Sequence, residues 1–187
     1  MRVIAGSARG LRLTAPAGMQ TRPTGDRVKE ALFSIIASRR EIVGARVLDI
    51  CAGSGSLGIE ALSRGADTCC FIEQDRAVLA VLQKNLIQTR LNSKVECLAL
   101  DALKALNQMS RQGKAFDIVF FDPPYSSDLY TAVPEALSSL SLLSDVGLLV
   151  AECSSRKMLA EHQGDLVKVD RRVYGDTALE FVVRETP

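Results

Sequence analysis

Asp and Pro residues near the middle of the chain have the types and spacing of a group-transfer site. Residues 122–125 read Asp-Pro-Pro-Tyr and follow the apolar run DIVFF. The two prolines hold the backbone extended, so the carboxylate of the Asp and the first proline carbonyl can face a pocket as fixed acceptors. Two aligned acceptors match an exocyclic amine of a nucleic-acid base, and the tyrosine can stack on an extruded base. The predicted catalytic residues are Asp122, Pro123, Pro124 and Tyr125.

A glycine-rich loop at residues 47–61, VLDICAGSGSLGIEA, predicts a nucleoside site. Gly53, Gly55 and Gly58 form G-x-G-x-x-G between a strand and a helix, where glycine permits tight turning and close approach of a ligand to the main chain. Asp49 stands four residues before Gly53, where a carboxylate suits the ammonium of a methionine moiety. A pyrophosphate would be repelled there, so S-adenosylmethionine is favoured over a dinucleotide.

Two further acids follow the next strands. Glu73 is placed to accept both ribose hydroxyls, as acids at strand ends do in α/β nucleotide sites. Asp101 can accept from the adenine amine, with the Ala102 amide at a ring nitrogen, or it can cap the helix that follows. The predicted cofactor-binding residues are Asp49, Ala52, Gly53, Gly55, Gly58, Glu73, Gln74, Asp101 and Ala102.

The elements that must position these residues alternate regularly along the chain. From residue 45 onward, short β-branched runs alternate with amphipathic stretches at 56–64, 75–90, 102–110, 128–139 and 155–161. This alternation predicts βαβ units and a parallel sheet. Two later strand-like segments flank Gly175-Asp176, a turn dipeptide, so we expect a final antiparallel hairpin at the sheet edge. Ligands of such sheets bind at the carboxyl ends of the strands.

The N-terminal region differs from the rest in charge. Residues 1–40 hold eight Arg and Lys residues against Asp26 and Glu30, a local balance of +6 in a chain whose net charge is +1. The asymmetry predicts a basic platform for a polyanion, with Arg9 and Arg12 in it, although a solvated basic tail is the alternative. We expect two short strands around a glycine-rich turn, a loosely ordered extension, and a helix over 27–38 capped by Asp26.

Length and composition limit the classes of protein to which the chain can belong. The 187 residues, 47% of them hydrophobic, fit a single α/β domain at 1–187, with 1–40 as a basic hairpin and helix extension suited to a polyanion such as RNA. The five cysteines form no C-x-x-C pair and there is one histidine, so we expect reduced thiols, no metal and no histidine-based triad. No run resembles a signal peptide or a membrane span, which predicts a cytoplasmic protein without membrane contact. Nothing in the sequence requires more than a monomer, so a monomer is expected.

These motifs together resemble the RsmD family, bacterial methyltransferases that modify a guanine amino group in 16S ribosomal RNA. The resemblance extends over nearly the whole chain: RVIAGSARGLRL, RPTGDRVKEALFSII at 22–36, LDICAGSGSLGIEALSRGA, FDPPY and YGDTALEF. It implies a class I S-adenosylmethionine-dependent methyltransferase fold, Rossmann-like, with a mostly parallel seven-stranded sheet. It also implies that Arg22, Thr24 and Arg27 lie on the substrate side of the pocket, and that the partner is 16S rRNA or an assembling small subunit.

Other functions share parts of this pattern. Asp-Pro-Pro-Tyr chemistry also serves DNA adenine or cytosine amines and protein glutamine amides, and only the N-terminal third favours RNA. A non-catalytic nucleotide sensor or a nicotinamide-dinucleotide-binding module is the second alternative, because a glycine fingerprint alone is not specific.

Overall fold

Eight strands form one mixed sheet in the computed structural model, which describes residues 1–16, 25–124 and 128–185. The strands are β1 (Arg46–Ile50), β2 (Thr68–Ile72), β3 (Val95–Leu98), β4 (Phe116–Phe121), β5 (Leu143–Ser154), β6 (His162–Gln163), β7 (Leu166–Tyr174) and β8 (Thr177–Arg184). Their order is β3-β2-β1-β4-β5-β8-β7-β6. The first five are parallel, and β8, β7 and β6 add antiparallel at one edge.

Helices cover both faces of this sheet. They are α1 (Asp26–Arg39), α2 (Ser56–Ser63), α3 (Arg76–Thr89), α4 (Ala102–Arg111) and α5 (Leu129–Ser139), with a turn of 3-10 helix at Asn92–Lys94. Apolar side chains of α1, α2 and α3 share one core with one face of the sheet. Those of α4 and α5 share a second core with the opposite face. The predicted α/β class, parallel sheet and antiparallel edge hairpin are therefore confirmed.

Two details of the predicted sheet region are wrong. The sheet has eight strands among the described residues rather than seven, because the two residues of β6 pair with β7. Residues 155–161, expected as a helix, form a turn and a loop. In this loop Leu159 is buried, and its amide donates to the Glu180 carboxylate of β8 at 2.8 Å. The segment therefore satisfies its polar groups against the returning antiparallel strand instead of within a helix.

The first 16 residues form an N-terminal hairpin that packs on α2. Arg2 and Arg12 pair in an isolated antiparallel bridge. The carboxylate of Glu60, which is fully buried in α2, accepts from the amides of Ile4 at 2.7 Å and Ala5 at 3.0 Å. The expectation of a loosely ordered extension therefore fails for these residues, because an internal carboxylate satisfies their backbone.

The turn of the N-terminal hairpin is fitted to the end of α2. The amide of Ser7 donates to the backbone oxygen of Ser63 at 2.8 Å, and the amide of Ala8 donates to its hydroxyl at 2.9 Å. Gly6 has φ +82°, and a Cβ there would lie 1.7 Å from the Ser63 carbonyl oxygen. A side chain at this position would both strain the backbone and push the turn off the helix.

Helix α1 differs from the prediction at its start. Its N-cap is Gly25 and not Asp26, which is the first residue of the helix and pairs through its side chain with Arg2 at 2.9 Å. Lys29 was counted with the basic surface, yet it is fully buried. Its ammonium donates to the Arg2 carbonyl at 2.6 Å and lies 3.5 Å from Glu60. Burial lowers the pKa of Lys29 and the Glu60 charge opposes that shift, so this cation belongs to the interior and not to the platform.

Candidate active site

Four acids line the carboxyl ends of neighbouring strands. They are Glu73 after β2, Asp49 in β1, Asp122 after β4 and Glu152 in β5. Their side chains belong to the face that packs on α1, α2 and α3, since each lies at a two-residue spacing from strand residues in that core. The sequence predicted the first three. Glu152 was missed, although an acid inside the apolar run LLVAEC was a usable signal.

Strand register sets the level of each acid. Asp49 aligns with Phe71 of β2 and with Phe120 of β4. Glu73 and Asp122 lie two residues beyond these partners, on the same face as Asp49 and nearer to the carboxyl end of the sheet. The carboxylates of the predicted cofactor site and of the predicted catalytic turn are thus adjacent across β1, β2 and β4.

The glycine loop is shaped by the Asp49 side chain. Gly53 and Gly55 take left-handed angles, φ +56° and +76°. A Cβ at Gly53 would meet no atom within 4 Å, so the space beside the loop is open to a ligand. The Gly58 amide donates to the Asp49 carboxylate at 2.9 Å.

Two predicted members of the loop have structural roles in this arrangement. A Cβ at Gly58 would lie 2.4 Å from the Phe71 ring, so this glycine lets α2 pack closely on β2. The Ala52 amide donates to the Ile72 carbonyl at 3.0 Å and continues the β1–β2 pairing into the loop. Both residues therefore help to hold the loop against β2.

Asp49 has an unusual protonation equilibrium. It is 2% exposed. Burial, with a smaller contribution from the Glu73 charge, raises its pKa to about 7, and the hydrogen bond from Gly58 opposes this shift. A carboxylate so placed gains most from a bound cation, which fits the ammonium of a methionine moiety.

Glu73 connects the glycine loop to the start of α3. Its carboxylate accepts from the Gly53 amide at 3.0 Å and from the Asp75 amide at 2.9 Å. Gln74, which follows it, is exposed. Asp75, which the sequence analysis did not single out, caps α3 by accepting from the amides of Ala77 and Val78.

The sequence left two possible roles for Asp101, a helix cap or an acceptor for the adenine amine. In the structure it is a helix cap. Its side chain accepts from the amides of Leu103 and Lys104 at the start of α4. Ala102 is buried in the core between α4 and the sheet. Both residues therefore stand at the end of β3, beside Glu73, with Asp101 already bound to the helix.

The Asp122–Pro124 turn continues β4 beyond the sheet. The Asp122 amide donates to the Ile50 carbonyl at 3.3 Å, which holds the turn against β1. Burial raises the pKa of Asp122 well above its usual range, and the charges of Glu152 and Asp49 raise it further. Pro123 is buried and Pro124 exposed. Tyr125 lies outside the described residues.

Tyr130 of α5 fixes this turn from the other side of the sheet. Its hydroxyl lies 3.3 Å from the Pro123 carbonyl oxygen and 3.1 Å from the backbone oxygen of Glu152. It thereby joins the ends of β4 and β5. The prediction had the Pro123 carbonyl free to face the pocket, whereas one of its lone pairs meets this hydroxyl. No motif in the sequence pointed to Tyr130.

The described members of the predicted substrate-binding set are three exposed arginines. Arg27 is exposed in the first turn of α1. Arg9 is exposed in the hairpin turn beside Ser63, at the far end of α2, about 12 Å from its start. Arg12 is exposed where Gln88 of α3 donates to its carbonyl at 2.9 Å. Arg22 and Thr24 lie outside the described residues.

The described residues include neither a metal-binding cluster nor a membrane-spanning helix. Within 1–16, 25–124 and 128–185, no group of three or more His, Cys, Asp or Glu side chains is arranged to hold a metal ion. None of the helices in the same ranges has the length and hydropathy needed to cross a bilayer.

Comparisons with known proteins identify the family and the fold. A family model described as Conserved hypothetical protein 95 matches residues 1–183. Ribosomal RNA small subunit methyltransferase D of Escherichia coli (strain K12) is 36% identical over 99% of this chain and 90% of its own length. The solved structure of yhhF from Escherichia coli superposes with a TM-score of 0.86 at 36% identity, covering 99% of this chain and 98% of that one.

A more distant solved structure shares the fold. The structure of SMU.776, which was solved as a complex with SAH, has a TM-score of 0.68 at 14% identity and covers 83% of this chain and 49% of that one. At that identity the likeness shows the fold alone, which is the class I, Rossmann-like methyltransferase fold. With near full-length matches at 36% identity and a family model over residues 1–183, the chain belongs to the RsmD family, the family of ribosomal RNA small subunit methyltransferase D.

Proposed function

We propose that this protein methylates the exocyclic N2 amine of a guanine in 16S ribosomal RNA, with S-adenosylmethionine as methyl donor. The observation that carries the proposal is the adjacency of Asp49 and Asp122 on neighbouring strand ends, with the turn after β4 held on both sides. The relatives' names support an RNA substrate of the small subunit.

The residues at the end of β1 and β2 fit the donor. Asp49 would hold its ammonium, Glu73 its ribose hydroxyls, and the open space beside Gly53 its main body. Glu73 would exchange at least part of its present bonds to the Gly53 and Asp75 amides for the ribose. When bound, S-adenosylmethionine supplies an electrophilic methyl group on a sulfonium.

The residues at the end of β4 would act on the acceptor. Asp122 and the remaining lone pair of the Pro123 carbonyl accept the two amine hydrogens, which directs the nitrogen lone pair toward the donor. Such alignment can supply on the order of 7–11 kcal/mol of the barrier. Asp122 would stabilise the positive charge that develops on nitrogen as the C–N bond forms and the S–C bond of the donor breaks. The donor would leave as neutral S-adenosylhomocysteine, and one amine proton would pass to water.

The substrate class is tested by tritium transfer from labelled donor to ribosomal subunits, duplex DNA and a protein fraction. We expect label in small-subunit RNA, and mass spectrometry of the digested product places it on N2 of one guanine. Label only in DNA would point to a DNA amine, and label only in protein to a glutamine amide. Either result would contradict the proposal.

The role of Asp122 is tested by Asp122→Ala. We expect turnover on RNA to fall by about 10²–10³-fold, as when one preorganised hydrogen-bonding group is removed. Calorimetric affinity for S-adenosylhomocysteine should stay within a few-fold, because the residue faces the acceptor. Asp128→Ala, an exposed acid before α5, is the matched control and should keep full turnover. Unchanged turnover of the Asp122 variant would refute the mechanism.

A further inference from the structure

Glu152 is a buried acid that the proposed chemistry does not yet use. It is 4% exposed and lies near the carboxyl end of β5. Its strand neighbours on the same face, Leu148 and Val150, are buried in the core beneath α1 and α2. Its charge acts on Asp122, whose pKa it raises.

The position of Glu152 relative to Asp122 is fixed by the sheet. Phe121 of β4 aligns with Ala151 of β5, so Asp122 and Glu152 are the next aligned pair. Neighbouring strands are about 4.8 Å apart, and aligned residues of parallel strands point to the same face. The Tyr130 hydroxyl, shared between the two strand ends, holds this spacing.

The order of strands places Asp49 and Glu152 on opposite sides of Asp122. β4 lies between β1 and β5, so Asp122 has Asp49 on one side and Glu152 on the other. A donor bound at β1 and β2 therefore approaches an amine held by Asp122 from the β1 side. Glu152 is left to meet the part of the base that lies next to the amine, away from the donor.

The chemistry of that neighbouring atom differs between bases. Guanine carries an N1–H donor beside its N2 amine, whereas adenine has an N1 lone pair and cytosine an N3 lone pair beside their amines. An ionised carboxylate accepts hydrogen bonds only. A carboxylate at this place therefore attracts guanine and repels the other two, and a site with a committed polar group discriminates strongly.

We propose that Glu152 is a specificity-determining residue whose carboxylate accepts the N1–H of the target guanine while Asp122 holds its N2 amine. This inference rests on the proposed guanine methylation and explains why an amine of guanine is chosen over one of adenine or cytosine. It also accounts for two acids side by side: the guanine edge brings adjacent N–H donors that offset their mutual repulsion.

The test uses an RNA fragment in which the target guanine, located by mass spectrometry, is replaced by 2,6-diaminopurine. This base keeps the 2-amino group but has a lone pair at N1. Wild-type protein should prefer guanine by at least about 100-fold in kcat/KM, a conservative threshold below the about 10⁴–10⁵-fold that a site committed to a hydrogen bond can reach. A wild-type preference near unity would overturn the inference without any variant.

Glu152→Gln then separates recognition from structure. The glutamine amide can donate to the N1 lone pair of diaminopurine, so we expect the guanine preference to shrink by at least about tenfold, the order that one base-edge contact contributes. Glu161→Gln, an exposed acid paired with Lys168, is the control and should keep the wild-type preference. Affinity for S-adenosylhomocysteine checks that the variant is folded.

The possible failures are distinguishable. If wild-type protein methylates guanine but the variant loses activity on both bases equally, Glu152 is a structural residue and the inference is wrong. If wild-type protein transfers no methyl group to guanine in any RNA, the proposed function itself is wrong.

Discussion

At the scale of single residues, the site is a set of carboxyl groups held in low polarity. Burial is the first cause of two raised pKa values: that of Asp49 rises to about 7, and that of Asp122 lies well above its usual range. Neighbouring acids add to the effect, since Glu73 acts on Asp49 and Glu152 on Asp122. Such strongly shifted acids are typical of functional sites, where a ligand's donors or charge restore the balance.

Asp49 predicts a pH dependence of donor binding. Only its ionised form attracts the ammonium, so affinity for S-adenosylhomocysteine should rise about tenfold between about pH 6 and pH 8, as the ionised fraction rises through a pKa of about 7. Calorimetry at a series of pH values measures this. Asp49→Asn should bind weakly at every pH and show no such rise; an equal rise in the variant would assign the titration to another group.

The same group predicts the pH dependence of stability without ligand. Its folded-state pKa of about 7 lies above the ordinary value of 3.8, so folding takes up a proton between these values. Its contribution to the free energy of unfolding therefore falls as pH rises from about 4 to 7. Urea unfolding of wild type and Asp49→Asn at both ends of this window tests the sign, because the variant should lack the decline.

At the scale of elements, the N-terminal hairpin is part of the body of the molecule. Glu60 holds the Ile4 and Ala5 amides, and Asn85 of α3 bonds to Thr14 and also donates to the Ser54 carbonyl of the glycine loop at 3.0 Å. The elements that form the nucleoside loop are thus the same ones that fix the hairpin.

Two glycines of this hairpin predict different costs of substitution. Gly6 and Gly10 both have left-handed angles, φ +82° and +85°, but an added Cβ meets Ser63 only at Gly6. Gly10→Ala should reduce the free energy of unfolding by about 1–2 kcal/mol, the cost of the backbone angle. Gly6→Ala should cost more and expose the hairpin amides to hydrogen exchange. Equal costs in urea unfolding would mean that the hairpin is not seated on α2 as described.

At the scale of the whole molecule, the exposed arginines of the N-terminal hairpin lie outside the cluster of acids. Arg9 is exposed in the hairpin turn and Arg12 beside Gln88 of α3, whereas the acids line the carboxyl ends of the strands. We propose that these arginines bind RNA phosphates. They would contribute to affinity and orientation and not to recognition of the guanine.

Removing positive charge from this surface should change the salt dependence of RNA binding. Neutralising Arg9 and Arg12 to Gln should weaken RNA binding and flatten the log–log plot of affinity against salt by roughly 1 per lost phosphate contact. The matched control neutralises Lys104 and Arg111, exposed on α4 across the sheet, and should leave the slope unchanged. Equal slopes for all three proteins, measured by fluorescence anisotropy, would remove the platform hypothesis.

The sequence by itself determined the features that depend on local pattern. Alternation of apolar runs predicted the strands and most helices, and glycine and proline spacing located both loops, because turn geometry and periodicity act within a few residues. Strand-end acids such as Asp49 and Asp122 could be found because each closes a recognisable strand.

Only the tertiary structure decided the features that depend on contacts between distant segments. The alignment of Glu152 with Asp122 follows from strand register, which short sequence windows do not encode. The burial of Lys29 against Glu60 depends on the packing of α1 on α2, which turns an apparent surface cation into an internal one. Charge and hydropathy describe what a side chain is, while its neighbours in the folded chain determine what it does.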